Sequence, residues 1–268
     1  MVVTASPLSR LNEFVAKQEA VSDTLPFIHL TNTYKFDKIA ASDIIKTERC
    51  RYFKEELIYL FYGRPAYRIK KTLNGNLPFD WPVALIFDER IIAKKISRLY
   101  PFDTGGFFIK KYERFFDKAS TIGDFSLEPT LETILRVVSA FYQSNYEYFT
   151  GASRKNVDIA IDQFEAIGLH EMARQPADPE ASSRVPPDER ASSIEAQLEE
   201  DLALSGALRA VVCPLRLMEV SRWVAALNRW SPTVIEPYSV HNAVHPEFFA
   251  GVVYSKVESA LRQLGYLQ

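Results

Sequence analysis

Apolar residues recur along this chain in two patterns. In one they return every third and fourth position; in the other they form short unbroken runs edged by glycine and proline. The first predicts helices with one buried stripe, the second strands covered on both faces. A helix is expected over 7–21, with Leu8, Leu11, Val15 and Ala16 inward and Ser6 or Ser9 as its cap. LPFIHLT reads as a strand, followed by a helix in YKFDKIAASDII that buries Phe36, Ile39, Ala40 and Ile44. ELIYLFYG and WPVALIF read as two further strands, separated by AYRIKK and a turn around Asn74 and Gly75. Thr130 caps a helix striped by Leu131, Ile134, Leu135, Val138 and Tyr142, and a second is expected over 157–167 through Ile161, Phe164 and Ile167. Residues 172–193, with Pro176, Pro179, Pro186 and Pro187, predict a long mobile loop. ALRAVVCP and PTVIEPY then read as strands, and MEVSRWVAALNRW and PEFFAGVVYSKVESALRQLG as helices.

This order predicts an α+β fold in a single domain over 1–268, with the loop as its main irregularity. The apolar fraction of 47% and charged fraction of 25% exclude fibrous and largely disordered classes. A formal charge of -2 hides an asymmetry: residues 1–122 carry an excess of Lys and Arg and 123–268 an excess of Asp and Glu. The basic half suits a polyanionic partner such as nucleic acid, or is simply a solvated face. Two cysteines, Cys50 and Cys213, make neither a disulfide framework nor a zinc site. MVVTASPLSRLNEF lacks an apolar signal core, so the expected location is the cytoplasm, with no membrane partner.

Chemistry concentrates in FIHLTNTYKF at 27–36, LIYLFYGRPAYRI at 57–69 and DERASSIEAQL at 188–198. His29 stands where a strand feeds a helix. Arg64 lies just past a strand end, where a guanidinium can pair bidentately with a pyrophosphate, and Tyr62 or Tyr67 can stack on a flat ring. Glu195 follows the proline-rich stretch. Plainer readings exist for each: His29 as a histidine satisfied within a sheet, Arg64 as a surface cation, Glu195 as part of a solvated acidic helix face with Glu199, Glu200 and Asp201. Asp103-Thr104-Gly105 has the aspartic-protease triplet in one copy only and reads as a turn. His241 and His245 sit four apart, but Pro246 follows and no glutamate lies between them, which argues against zinc. His170-Glu171 reads as a helix end.

Taken in order, the three segments resemble the DarT-type DNA ADP-ribosyltransferases over about 35 of the 268 residues. That family has a strand ending in His-x-Thr before an Asn-bearing helix start, a strand running into Arg, Pro and Tyr-Arg-Ile, and a Gln-Ala-Glu after a basic loop. The resemblance implies an ADP-ribosyltransferase-like split mixed sheet with packed helices, and NAD as the substrate consumed, with no metal. It implies Glu195, Arg64 and His29 as catalytic residues, and His29, Thr31, Asn32, Tyr62, Arg64 and Tyr67 as contacts to NAD. The acceptor is a macromolecule, DNA favoured, with an antitoxin or regulatory protein as a further partner, in the setting of a toxin or antiphage effector. Two features depart from the pattern: Gln197 follows Glu195 instead of preceding it, and Asn32 or Lys35 stands near the family's asparagine. Left open are RNA or protein as acceptor and a non-catalytic nucleotide- or protein-binding module of the same fold.

Overall fold

The apolar runs become strands, and the order of elements is α+β, as the patterning predicts. The structure, a computed structural model, describes residues 9–66, 77–174, 189–240 and 246–268. These divide into two compact units, one drawn from Asp23–Ser97 and Ala196–Gln268, the other from Met1–Ser22 and Arg98–Glu195.

The first unit is built on a mixed sheet. Its strands are β1 (Phe27–Asn32), β3 (Glu48–Arg49), β4 (Glu56–Tyr62), β5 (Pro82–Phe87), β7 (Glu195–Leu198), β9 (Leu208–Pro214) and β10 (Val234–Tyr238). Their order is β10-β9-β5-β1-β4-β7, with β3 paired to β4; β2 (Ile44–Ile45) and β8 (Leu202–Ala203) pair apart from them. β9 and β10 are parallel, while β5 runs antiparallel to both β1 and β9. Every residue of β5 is buried, as befits a central strand whose apolar run does not alternate. Directly after it, Asp88 caps the short helix α3 (Glu89–Ala93). The terminal helix α9 (Pro246–Gln263) packs on β5, β9 and β10. Glu236 of β10 pins it, accepting from Lys256 at 3.0 Å and from Ser259 at 2.7 Å.

β1 runs straight into α2 (Thr33–Ser42), which starts on the Asn32 cap and ends where Asp43 takes a left-handed backbone. α8 (Ser221–Trp230) docks on α2 through two matching clasps. Asp37 Oδ1 accepts from Arg222 Nε at 2.7 Å and Trp223 Nε1 at 2.6 Å. Asp43 Oδ1 accepts from Arg229 Nη2 at 2.8 Å and Trp230 Nε1 at 2.6 Å. The Phe36 ring stands edge-on to both indoles. The arginine hydrogen bond first, and the indole second, hold both aspartates below the ordinary carboxyl value. A depressed carboxyl stabilises the fold above the unfolded-state value and loses that contribution as pH falls through the folded one. Because both ion pairs are largely solvated, Asp37→Ala is expected to cost only about 1 kcal/mol, most of it the indole bond. Urea unfolding checks this; no change in midpoint means that the clasp contributes nothing.

The second unit is mainly helical. It comprises α1 (Arg10–Ala16), strand β6 (Arg98–Tyr100), α4 (Thr104–Phe108), α5 (Leu131–Phe141), α6 (Asn145–Thr150) and α7 (Phe164–Arg174). Of Ser6 and Ser9, it is Ser9 that caps α1, accepting the Asn12 N–H at 3.2 Å, and Thr130 caps α5 as expected. α1 packs on α5 and α7, with Phe14 against Phe141. The helix expected over 157–167 instead begins at Phe164, and two of its expected stripe residues face water: Ile161 is 87% exposed and Phe164 59%. The face that α7 buries runs through Glu165, Ala166, Gly168, Leu169, His170, Met172 and Ala173. His170 is therefore inside the helix, not at its end, with Nε2 on the Arg154 carbonyl at 2.9 Å. Of the stretch read as a loop, 172–174 close α7 and 189–192 form a 3-10 turn, while 175–188 lie outside the described residues.

Candidate functional site

β1 pairs with β5 over its full length, from Phe27 opposite Phe87 to Asn32 opposite Pro82. With β4 on its other side it pairs at only two positions, Phe27 with Tyr62 and Ile28 with Phe61. From His29 onward the strands part, and β1 turns from buried to half-buried at that residue. The imidazole bridges the gap: His29 Nδ1 lies 2.9 Å from the Tyr59 carbonyl oxygen of β4. A carbonyl only accepts, so Nδ1 carries the hydrogen. Desolvation at this position is the main force lowering the His29 pKa. The Lys35 ammonium adds to it, against the Tyr59 hydrogen bond and the Glu48 carboxylate. The ring is thus neutral near pH 7, and its Nε2 is an acceptor.

Two residues on, and so on the same side of the strand, Thr31 Oγ1 is buried with no hydrogen-bond partner among the described residues. A buried hydroxyl without a protein partner can bond a ligand or water atom. Asn32 also caps α2, its side chain accepting the Lys35 N–H at 2.9 Å. Lys35 itself reaches Glu48 at 2.6 Å on the surface.

β4 ends in a sharp turn at Gly63, whose φ of 64° is left-handed. A Cβ there would stand 2.4 Å from Leu25 Cδ1. The turn is closed by Gly63 N–H to the Pro26 carbonyl at 2.8 Å and Arg64 N–H to the Tyr62 carbonyl at 2.7 Å. Arg64 is 3% exposed, so it is not the surface cation of the plainer reading. Tyr62 is wholly buried, its hydroxyl accepting the Leu25 N–H at 2.8 Å and its ring edge-on to Phe27. That is core packing, and no face of the ring is open for stacking. Tyr67 lies outside the described residues, as do His241 and His245.

Glu195 is the last residue of the helical unit and the first of β7. It does not lie on a solvated helix face: it is in a strand and fully buried, as is Gln197. Thr104 grips both of its oxygens, with Oγ1 donating to Oε1 at 2.7 Å and the backbone N–H donating to Oε2 at 3.1 Å. The Asp-Thr-Gly triplet is accordingly more than a turn. Asp103 caps α4 by accepting the Gly106 N–H at 3.0 Å, and Thr104 is the first residue of that helix. Thr104 escaped the sequence reading because it stands 91 residues from Glu195.

His29, Thr31, Asn32 and Arg64 thus belong to the strand pair β1 and β4 of one unit, and Glu195 and Thr104 to the other. Both cysteines are free, and burial pushes the Cys213 thiol up to about 12, a buried and unreactive group. Among the described residues no cluster of His, Cys, Asp and Glu has the geometry of a metal site, and no helix is long and apolar enough to cross a membrane. No family model, no curated protein and no solved structure matches the chain.

Proposed function

We propose that the protein is an NAD-dependent ADP-ribosyltransferase acting on a macromolecule, with DNA as the favoured acceptor. The observation that carries this reading is the parting of β1 from β4 at His29. A neutral imidazole tied by Nδ1 to Tyr59 and a buried, unsatisfied Thr31 hydroxyl stand there on one side of β1. An acceptor nitrogen and a hydroxyl two residues apart on one side of a strand, where the backbone repeat is about 7 Å, suit the hydroxyls of a ribose. The sequence resemblance supports the same reading, since it assigns His29 and Thr31 to NAD. ADP-ribosyltransferase-like splitting of the mixed sheet is part of this proposal. The cytoplasm, an antitoxin or regulatory partner, and a toxin or antiphage role follow from the resemblance and belong to the proposal too.

The chemistry asks little of an acid. The bond between ribose C1′ and the nicotinamide nitrogen breaks, and the neutral nicotinamide leaves with the bonding electrons. Positive charge gathers on C1′ and the ring oxygen, and a carboxylate stabilises it, the role that the sequence resemblance assigns to Glu195. The acceptor's oxygen or nitrogen bonds to C1′, and its proton passes to that carboxylate. Arg64 is the proposed partner of the pyrophosphate.

With Nε2 of His29 acting as an acceptor, kcat/KM for nicotinamide release is expected to fall as pH drops through the lowered His29 value, below the ordinary 6.5. The unfolded chain takes up this proton first, so stability is fully present above 6.5 and declines below it. A pH profile of the wild type beside His29→Gln checks the assignment. An acid limb centred at or above 6.5, or one that survives the substitution, removes His29 from the site.

One observation favours a second reading, a nucleotide- or protein-binding module without catalysis: Glu195 is fully enclosed. Nicotinamide release from NAD, assayed with DNA, RNA and cell lysate, separates the two. NAD binding without release under every condition supports the module.

A further inference from the structure

We infer that Thr104 is a positioning residue for Glu195: it holds the carboxylate by both oxygens and fixes the direction in which it acts. This rests on the transferase reading and adds a residue to it. Thr104 is 1% exposed and Glu195 0%, so the two bonds form away from water, where their geometry is well defined. Thr104 supplies a donor to each oxygen, the hydroxyl to Oε1 at 2.7 Å and the backbone N–H to Oε2 at 3.1 Å. A carboxylate held at both oxygens keeps neither a free rotation about its last torsion nor a choice of rotamer.

The support beneath Thr104 is rigid. Asp103 caps the first turn of α4 at Gly106 N–H. A Cβ on Gly106 would lie 2.2 Å from the Tyr112 hydroxyl, so only glycine lets that ring pack so closely against the turn. Phe102, immediately before the cap, stacks on Phe107 at 5.8 Å and meets Tyr112, Phe116 and Phe125 edge-on or tilted. Phe116 and Phe125 are themselves 4.4 Å apart. α4 is only five residues long and has little stability of its own; this aromatic cluster fixes it in place. Threonine suits the position on both counts: its hydroxyl reaches the carboxylate, and its branched Cβ restricts χ1.

Thr104→Val keeps the shape and the N–H and removes only the hydroxyl. In this variant kcat for nicotinamide release is expected to fall about 10-fold or more, in line with a misplaced catalytic group, with KM for NAD nearly unchanged. Thr104→Ser restores kcat. The Glu195 carboxyl resonance, assigned by its loss in Glu195→Gln, is expected to titrate at higher pH in the Val variant and to return in the Ser variant. Should Val not fold, as judged by circular dichroism, Thr104→Ala takes its place. Wild-type kcat in the Val or Ala variant, while Glu195→Gln is inactive, overturns the inference and leaves the transferase reading standing. A Glu195 titration indifferent to Thr104 overturns it regardless of turnover. Absence of turnover in the wild type defeats the transferase reading, and with it the inference.

Discussion

If the proposed transferase reading holds, Glu195→Gln is expected to lower kcat for nicotinamide release by about 10²–10³-fold while KM for NAD stays nearly unchanged, the pattern of a group that stabilises charge only in the transition state. The amide has the size of the carboxylate and keeps an oxygen that can accept the Thr104 N–H, while the Thr104 hydroxyl can turn from donor to acceptor. The fold is therefore retained. On the proposed reading, what disappears is the negative charge that stabilises the developing oxocarbenium, and the base that takes the acceptor's proton. Steady-state kinetics with a thermal unfolding control measures this. Equal turnover by the two proteins removes Glu195 from the proposed chemistry.

Gly63→Ala has the largest expected effect on stability. A left-handed alanine costs roughly 1–2 kcal/mol, and the overpacking adds roughly 1–3 kcal/mol more. The clash is severe because Leu25 is fully buried, its Cδ1 at 2.4 Å and its Cβ at 3.1 Å from the new methyl. Rotating the buried Leu25 side chain does not relieve the Cβ contact, and a backbone shift that does disturbs the Leu25 N–H bond to the Tyr62 hydroxyl and the ring packed on Phe27. The same shift displaces the turn that carries Arg64, so on the proposed reading NAD affinity is expected to drop with stability. Urea unfolding together with NAD titration tests both. A loss of stability under about 0.5 kcal/mol means that the turn is more plastic than its φ implies.

Much of the fold is legible in the sequence. β1, β4, β5, β9 and β10 are apolar runs edged by turn residues, and each forms where its run lies. The α7 boundary is not, because Ile161 and Phe164 have helical spacing but face water, while the buried face uses Gly168 and His170, which no hydropathy stripe marks. Gly168 is there for close approach: a Cβ would meet the Phe115 carbonyl at 2.5 Å. β7 is hidden by its composition, since Glu195-Ala-Gln-Leu is buried through specific hydrogen bonds and not through an apolar pattern.

The candidate site divides in the same way. The placement of His29 and Thr31 on a strand that runs into a helix, and of Arg64 just past the end of β4, is legible; their roles belong to the proposal. The core role of Tyr62 is not, because it depends on the Leu25 backbone lying against the ring, a contact between segments 37 residues apart. The cap role of Asn32 at the start of α2 is one that asparagine favours, and it stands beside the expected ligand contact. The grip of Thr104 on Glu195 depends on long-range packing, and local sequence is silent about it.

The most direct measurement is mass spectrometry of acceptors after incubation with NAD labelled in its adenosine half. A DNA oligonucleotide, an RNA oligonucleotide and lysate protein are presented in parallel to the wild type and to Glu195→Gln. The expected result is free nicotinamide and a DNA product heavier by one labelled ADP-ribosyl group, formed by the wild type and absent with the variant. NAD recovered intact beside every acceptor refutes the transferase reading.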